Sequence, residues 1–166
     1  MVISAMRVRR GPPGSPAGHI GAVAPVAEAT GAPVWCPEIE TPVLADINSF
    51  VPWPGFGPFE DYEADHTVSG GEKLELAGLD IDVIFTPGHS PGHVTYSIRD
   101  EAALFSGDVL FQGSVGRVDL PGGDWPTLLG RLELKGPARQ LAGNCQLLSR
   151  EGNHFRFLLD ERASAL

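Results

Sequence analysis

Thr86-Pro87-Gly88-His89-Ser90-Pro91-Gly92-His93 is the stretch that decides the reading of this chain. It follows residues 81–85 (IDVIF), a run of strand formers, and leads into residues 94–98 (VTYSI), a second such run. A histidine on a turn fixed by glycine and proline at a strand end is held rigidly, with its imidazole presented outward. That is how a metal ligand is usually mounted. Downstream, Phe105-Ser106-Gly107-Asp108-Val109-Leu110-Phe111 repeats the arrangement with a carboxylate. Two neighbouring strands would bring His89 and Asp108 to one rim of a sheet. An imidazole with a carboxylate suits zinc, or iron or manganese.

Outward from this centre the chain reads as short elements joined by many turns, as its 21 glycines and 15 prolines lead one to expect. Residues 73–76 alternate and are broken by Gly78. With 81–85, 94–98 and 102–105 they make four short strands, read as an antiparallel meander. On the N-terminal side, residues 20–29 suit a short helix ended by Gly31 and Pro33, and 33–36 a buried strand. Residues 37–66, with five prolines and several aromatics, read as one long irregular stretch, either a lid or a surface loop pinned by its aromatics. On the C-terminal side, Asp124-Trp125-Pro126 reads as an N-cap with proline just inside a helix that runs to about Glu133. Residues 155–159 could add a strand.

Composition bounds the function. Hydrophobic residues make up 42% and charged residues 20%, the balance of a folded chain with a buried core. The net charge of −9 opposes binding to a phosphate backbone, so nucleic acid is excluded as a partner. No apolar run approaches the ~20 residues that span a bilayer, and no apolar region follows the basic residues Arg7, Arg9 and Arg10. The expectation is a cytoplasmic protein without membrane contact. Cys36 and Cys145 stand outside any CxxC pair and read as reduced thiols. Between residues 19 and 130 the only basic residues are Lys73, Arg99 and Arg117, whereas both ends are richer in arginine. This shift divides the chain into an irregular segment 1–17, a domain 18–136 and an atypical segment 137–166.

The motifs TPGHSPGH and LFSGDVLF, followed by residues 113–124 (GSVGRVDLPGGD), together resemble the metallo-β-lactamase superfamily, and within it the glyoxalase II-like (hydroxyacylglutathione hydrolase-like) branch. The resemblance runs from about Gly18 to about Leu132. It implies an α/β (α+β) chain forming part of an αββα sandwich with mostly antiparallel strands. It also implies two metals at one edge of that sandwich, held by an HxHxDH motif, the TPGH histidine, a bridging aspartate and a late histidine. Carried over by position, His89 matches the TPGH ligand, Asp108 the bridging carboxylate, and His19 the last histidine of HxHxDH. The other motif ligands would fall at Gly14, Pro16 and Gly18, which offer no ligating side chain, and His154 lacks the context of the late histidine.

Relatives of this kind are expected to use a metal-bridging hydroxide against a small thioester or ester carbonyl. Three of seven ligands, His19, His89 and Asp108, imply a weakly occupied zinc site and impaired hydrolysis. The alternative is a non-catalytic remnant or binding module of the same fold. Other candidates read as structural: His93 as a cap on its strand, Arg117 and Asp119 as residues that position a neighbouring turn, Asp65 with His66 as a pair without a partner motif, and the acids from Glu72 to Asp82 as a solvated sheet face.

Overall fold

A computed structural model describes residues 2–3, 17–51, 54–55, 57–101, 103–111, 114–135, 145–151 and 154–159. Chain contacts gather them into two compact units, Met1–Ile84 with Val94–Gly107, and Phe85–His93 with Asp108–Leu166.

In the first unit, α1 (Ala17–Ile20) leads into α2 (Val23–Thr30). Gly31 ends α2 in the left-handed region at φ 63°, and its N–H donates to the Ala27 carbonyl at 2.8 Å. Val23, Ala24 and Ala27 share the buried face of α2. Val23 and Ala27 join Val34, Cys36, Leu44, Ile47 and Val51 in one apolar cluster. Three parallel strands lie in the order β1 (Val2–Ile3), β2 (Val34–Pro37) and β3 (His66–Val68).

Parallel neighbours need a crossover, and the chain between β2 and β3 provides it. Residues 37–66 are therefore not one irregular stretch as the sequence suggested. They contain a 3-10 turn at Glu38–Glu40, α3 (Thr41–Ala45) and α4 (Ile47–Phe50). Pro42 masks α3 in the sequence, yet proline is tolerated in a first helical turn, where its missing N–H has no acceptor to lose. Side-chain to backbone bonds pin the return. Ile47 N–H donates to Asp61 Oδ1 at 2.8 Å, and the Asn48 amide pairs with both the carbonyl and the N–H of Phe59 at 2.8 Å each. Phe59 and Tyr62 pack against the core cluster, as the pinned-loop reading expected, whereas Phe50 is exposed.

The expected meander is present in the order β4 (Lys73–Leu76), β5 (Leu79–Phe85), β6 (Val94–Ile98) and β7 (Ala103–Phe105). β4 and β5 are antiparallel, with Leu76 opposite Leu79 across the two-residue turn Ala77-Gly78. β6 is buried along its whole length. The acidic face is not wholly solvated, which corrects one expectation. Asp82 is buried, and Arg99 Nε donates to its Oδ2 at 2.8 Å. A lone buried carboxylate would be costly without such a partner. Glu72 is also engaged, accepting from the N–H groups of Ser69 and Gly70.

The second unit carries the Thr86–His93 loop and an antiparallel ribbon of β8 (Leu110–Phe111) with β9 (Ser114–Val115). It also holds α5 (Trp125–Arg131) and a sheet ordered β10 (Leu132–Lys135), β12 (His154–Leu159), β11 (Cys145–Glu151). Asp124 caps α5 as expected, its Oδ2 accepting the Thr127 N–H at 2.8 Å. That bond holds the Asp124 carboxyl below its ordinary range. The helix stops at Arg131 and not near Glu133. Residues 132–135 alternate apolar and charged and pair in parallel with β12, and the strand partner overrides the helical pattern. The strand expected at 155–159 is β12. Much of what was expected for 1–17 and 137–166 falls outside the described residues.

Candidate metal centre

The Thr86–His93 loop is fastened twice at its base. Thr86 N–H donates to the His93 carbonyl at 2.8 Å, and Thr86 Oγ1 lies 2.9 Å from His93 Nδ1. His93 therefore serves the base of its strand, as its sequence position suggested. Inside the loop Gly88 adopts φ 130°, and a Cβ there would stand 2.6 Å from the backbone of Leu128. Only glycine allows α5 to come this close. Asp124 N–H donates to the Gly88 carbonyl at 2.8 Å, and Leu128 is fully buried. The loop is thus pressed on the start of α5, and its next residue, His89, is held with 7% of its surface exposed.

Asp108 is equally buried, at 7%. Its backbone is covered by Gly116, where any Cβ would collide with the Asp108 carbonyl oxygen and stand 3.3 Å from His89 Nδ1. Gly116 N–H donates to the Val109 carbonyl at 3.1 Å, so the β8–β9 ribbon delivers Gly116 and Arg117 onto both candidate residues.

The orientation of His89 follows from one bond. Its Nδ1 lies 2.8 Å from the Arg117 carbonyl oxygen. A carbonyl only accepts, so Nδ1 carries the proton, and in the neutral ring Nε2 carries the lone pair. That lone pair faces Asp108 Oδ2 at 3.6 Å, too long for a hydrogen bond. A divalent cation would accept electron pairs from both atoms at once. An N–H fixed on a backbone carbonyl is the usual outer support of a ligating histidine. The donor set fits two ligands of one divalent ion.

The remaining candidates are described within their own elements. His19 lies in α1 of the first unit, half-buried, with its carbonyl accepting the Ala22 N–H at 3.2 Å. Among the described residues no three or more of His, Cys, Asp and Glu gather into a set able to hold a metal. Asp65 and His66 are structural: Asp65 Oδ2 accepts the Val34 N–H at 2.8 Å, and the His66 ring lies 4.3 Å from that of Trp35. Gly18 falls in α1, Gly14 and Pro16 lie outside the described residues, and His154 is the first residue of β12.

Arg117 and Asp119 hold each other. Arg117 Nε and a terminal nitrogen donate to the two Asp119 carboxylate oxygens at 2.7 Å each. The guanidinium holds the Asp119 carboxyl below its ordinary range. The part missed in the sequence is the Arg117 backbone carbonyl. The opposite charge two residues on signals the Arg117–Asp119 pair, which an extended chain places on one side, but not which carbonyl faces the ring.

Comparison with known proteins shows the family. The profile of the metallo-beta-lactamase superfamily matches residues 17–135. The chain is 40% identical over 122 residues to the probable metallo-hydrolase YqgX of Bacillus subtilis, covering 70% of this chain and 56% of that protein. It is 43% identical over 65 residues to the hydroxyacylglutathione hydrolase GloC of Haemophilus influenzae, covering 39% of this chain and 31% of that protein. A solved structure of TTHA1623 in a di-iron-bound form superposes with a TM-score of 0.57 at 37% identity, over 68% of this chain and 55% of that one. The chain thus spans about half the length of the first of these relatives. Among the described residues no helix is long and apolar enough to cross a membrane. With the profile matched over residues 17–135, a span that holds both the TPGH loop and the Gly-Asp turn, the chain belongs to the metallo-beta-lactamase superfamily, and its relatives include hydroxyacylglutathione hydrolases.

Proposed function

We propose that the chain is a cytoplasmic metal-dependent hydrolase of the glyoxalase II type, acting on a small thioester or ester with impaired activity. The observation that carries this reading is His89, locked by the Arg117 carbonyl with its Nε2 lone pair toward Asp108. A divalent ion held there, zinc or else iron or manganese, would polarise a carbonyl and lower the pKa of water. The chain's own share is to supply the Nε2 lone pair and a buried carboxylate and to keep both in place without rearrangement. His19 belongs to the proposal on its sequence match alone. The impairment follows from Gly14, Pro16 and Gly18, which leave each of the two metal positions that the resemblance implies only two protein ligands, His89 with Asp108 and His19 with Asp108, where a catalytic zinc site typically has three.

A second reading, a non-catalytic binding module of the same fold, is favoured by one observation. Among the described residues no set of three ligating side chains comes together. Zinc titration and elemental analysis, with hydrolysis of a hydroxyacylglutathione thioester, separate the two. The first reading expects about one ion or fewer per chain and slow, metal-dependent turnover. His89→Ala, Asp108→Asn and His19→Ala should each lower affinity by more than the ~10–100-fold usual for an outer support. Turnover of zinc-loaded protein no faster than buffer leaves the binding module standing.

A further inference from the structure

We propose that Asp119 is a positioning residue that sets the tautomer of His89 by clamping Arg117 from outside the site. The inference deepens the metal-centre reading and rests on it for its purpose, though not for its test.

The geometry is a short relay. Asp119 grips the Arg117 guanidinium with two bonds of 2.7 Å, a planar fork-to-fork arrangement that fixes direction as well as distance. Both carboxylate oxygens are engaged, and the partners are only two residues apart, so the clamp restrains the backbone between them. Within that backbone the Arg117 carbonyl accepts the His89 Nδ1–H at 2.8 Å. The preceding residue, Gly116, is pressed on the Asp108 carbonyl and bonded to Val109. Both candidate ligands therefore rest on one segment, and the clamp closes its exposed end.

A clamp is needed because His89 has a competing state. With Nδ1 released, the proton would move to Nε2, which faces Asp108 Oδ2 at 3.6 Å and would gain a donor–carboxylate contact on a small approach. That tautomer is comfortable for the apo protein and useless for ligation, since a ligating nitrogen must carry its lone pair. Holding the Arg117 carbonyl against Nδ1 excludes it.

Asp119 is 68% exposed in its side chain, so its replacement should leave the fold intact. The experiment is a long-range proton–nitrogen correlation spectrum of the histidine rings in metal-free protein at slightly alkaline pH, together with zinc titration. The wild type should show His89 protonated on Nδ1. Asp119→Ala should shift it toward the Nε2-protonated form and weaken zinc binding by about tenfold or more, with the thermal midpoint unmoved. Asp119→Asn, which keeps one acceptor, should fall between. Arg117→Lys keeps the carbonyl and the charge but loses the fork, and should behave as Asp119→Ala does, which guards against a folding defect particular to one variant. An unchanged His89 tautomer in Asp119→Ala and Arg117→Lys overturns the proposal, as does a wild-type ring protonated on Nε2. Failure of every protein to bind zinc would count against the hydrolase reading, while the tautomer shift would still decide the role of Asp119.

Discussion

Gly116 shows how much of the site depends on an absent side chain. A Cβ at this position would run into the Asp108 carbonyl and approach His89 Nδ1 to 3.3 Å, and both residues are buried. Gly116→Ala should therefore force apart the two loops that carry the candidate ligands. Overpacking of this kind typically costs about 1–3 kcal/mol. Urea unfolding would read that loss, and zinc titration the weakened site. An alanine variant with the wild-type midpoint and zinc affinity would mean that the loops yield freely and that the close approach has no purpose. The same residues show what was legible. His89 and Asp108 stood out because their side chains carry the chemistry. The Arg117 carbonyl that orients His89 did not, because every residue carries a carbonyl and only folding decides which one faces the ring.

At the scale of elements, the β4–β5 hairpin holds an avoidable strain. Its two-residue turn places Ala77 at φ 54° and Gly78 at φ 77°, the pattern of a type I′ turn. Glycine adopts this region freely, but alanine there costs about 1–2 kcal/mol. Asparagine tolerates it well and is the preferred partner of glycine in such turns. Ala77→Asn should raise stability by about 0.5–1 kcal/mol, read as a higher urea or thermal midpoint. A midpoint equal to or below the wild type would show that the hairpin does not feel the strain. This meander was readable from the sequence because its strands alternate or cluster β-formers between clear breaks. α3 and α4 were not readable. Each is about one turn long, neither has a periodic pattern, and the bonds that define them, such as Asp61 to Ile47, come from residues far along the chain. The end of α5 was misplaced for a related reason: the pairing of β10 with β12 is a long-range event that local propensity does not register.

At the scale of the whole molecule, the resemblance read from the motifs extended to the fold because motif residues and fold are coupled: the TPGH and Gly-Asp turns follow strands of one meander. What the fold buries also sets how the molecule responds to pH. Burial, and after it the charge of Glu40, pushes the Cys36 thiol from 9.0 to about 12. Burial raises the Tyr96 hydroxyl as well, with Cys36 and Glu72 adding to it, from an ordinary value of 10.0. Both groups stay neutral in the folded chain and ionise sooner in the unfolded one. The unfolded state therefore binds fewer protons in the alkaline range, and stability falls as pH rises. The contribution is whole below pH 9.0 and is lost between 9.0 and about 12, first through Cys36 and then, above 10.0, through Tyr96 as well. Each group alone gives a slope of up to about 1.4 kcal/mol per pH unit. Urea midpoints measured from about pH 8 to 11 should decline, and Cys36→Ala should flatten the part between 9.0 and 10.0, where the thiol titrates ahead of the tyrosine. The general repulsion of a chain with net charge −9 acts on both proteins alike, so the difference between the two curves isolates the thiol. Curves that run parallel through that interval would show that the Cys36 thiol ionises as easily folded as unfolded, and the buried-thiol account of alkaline lability would be wrong.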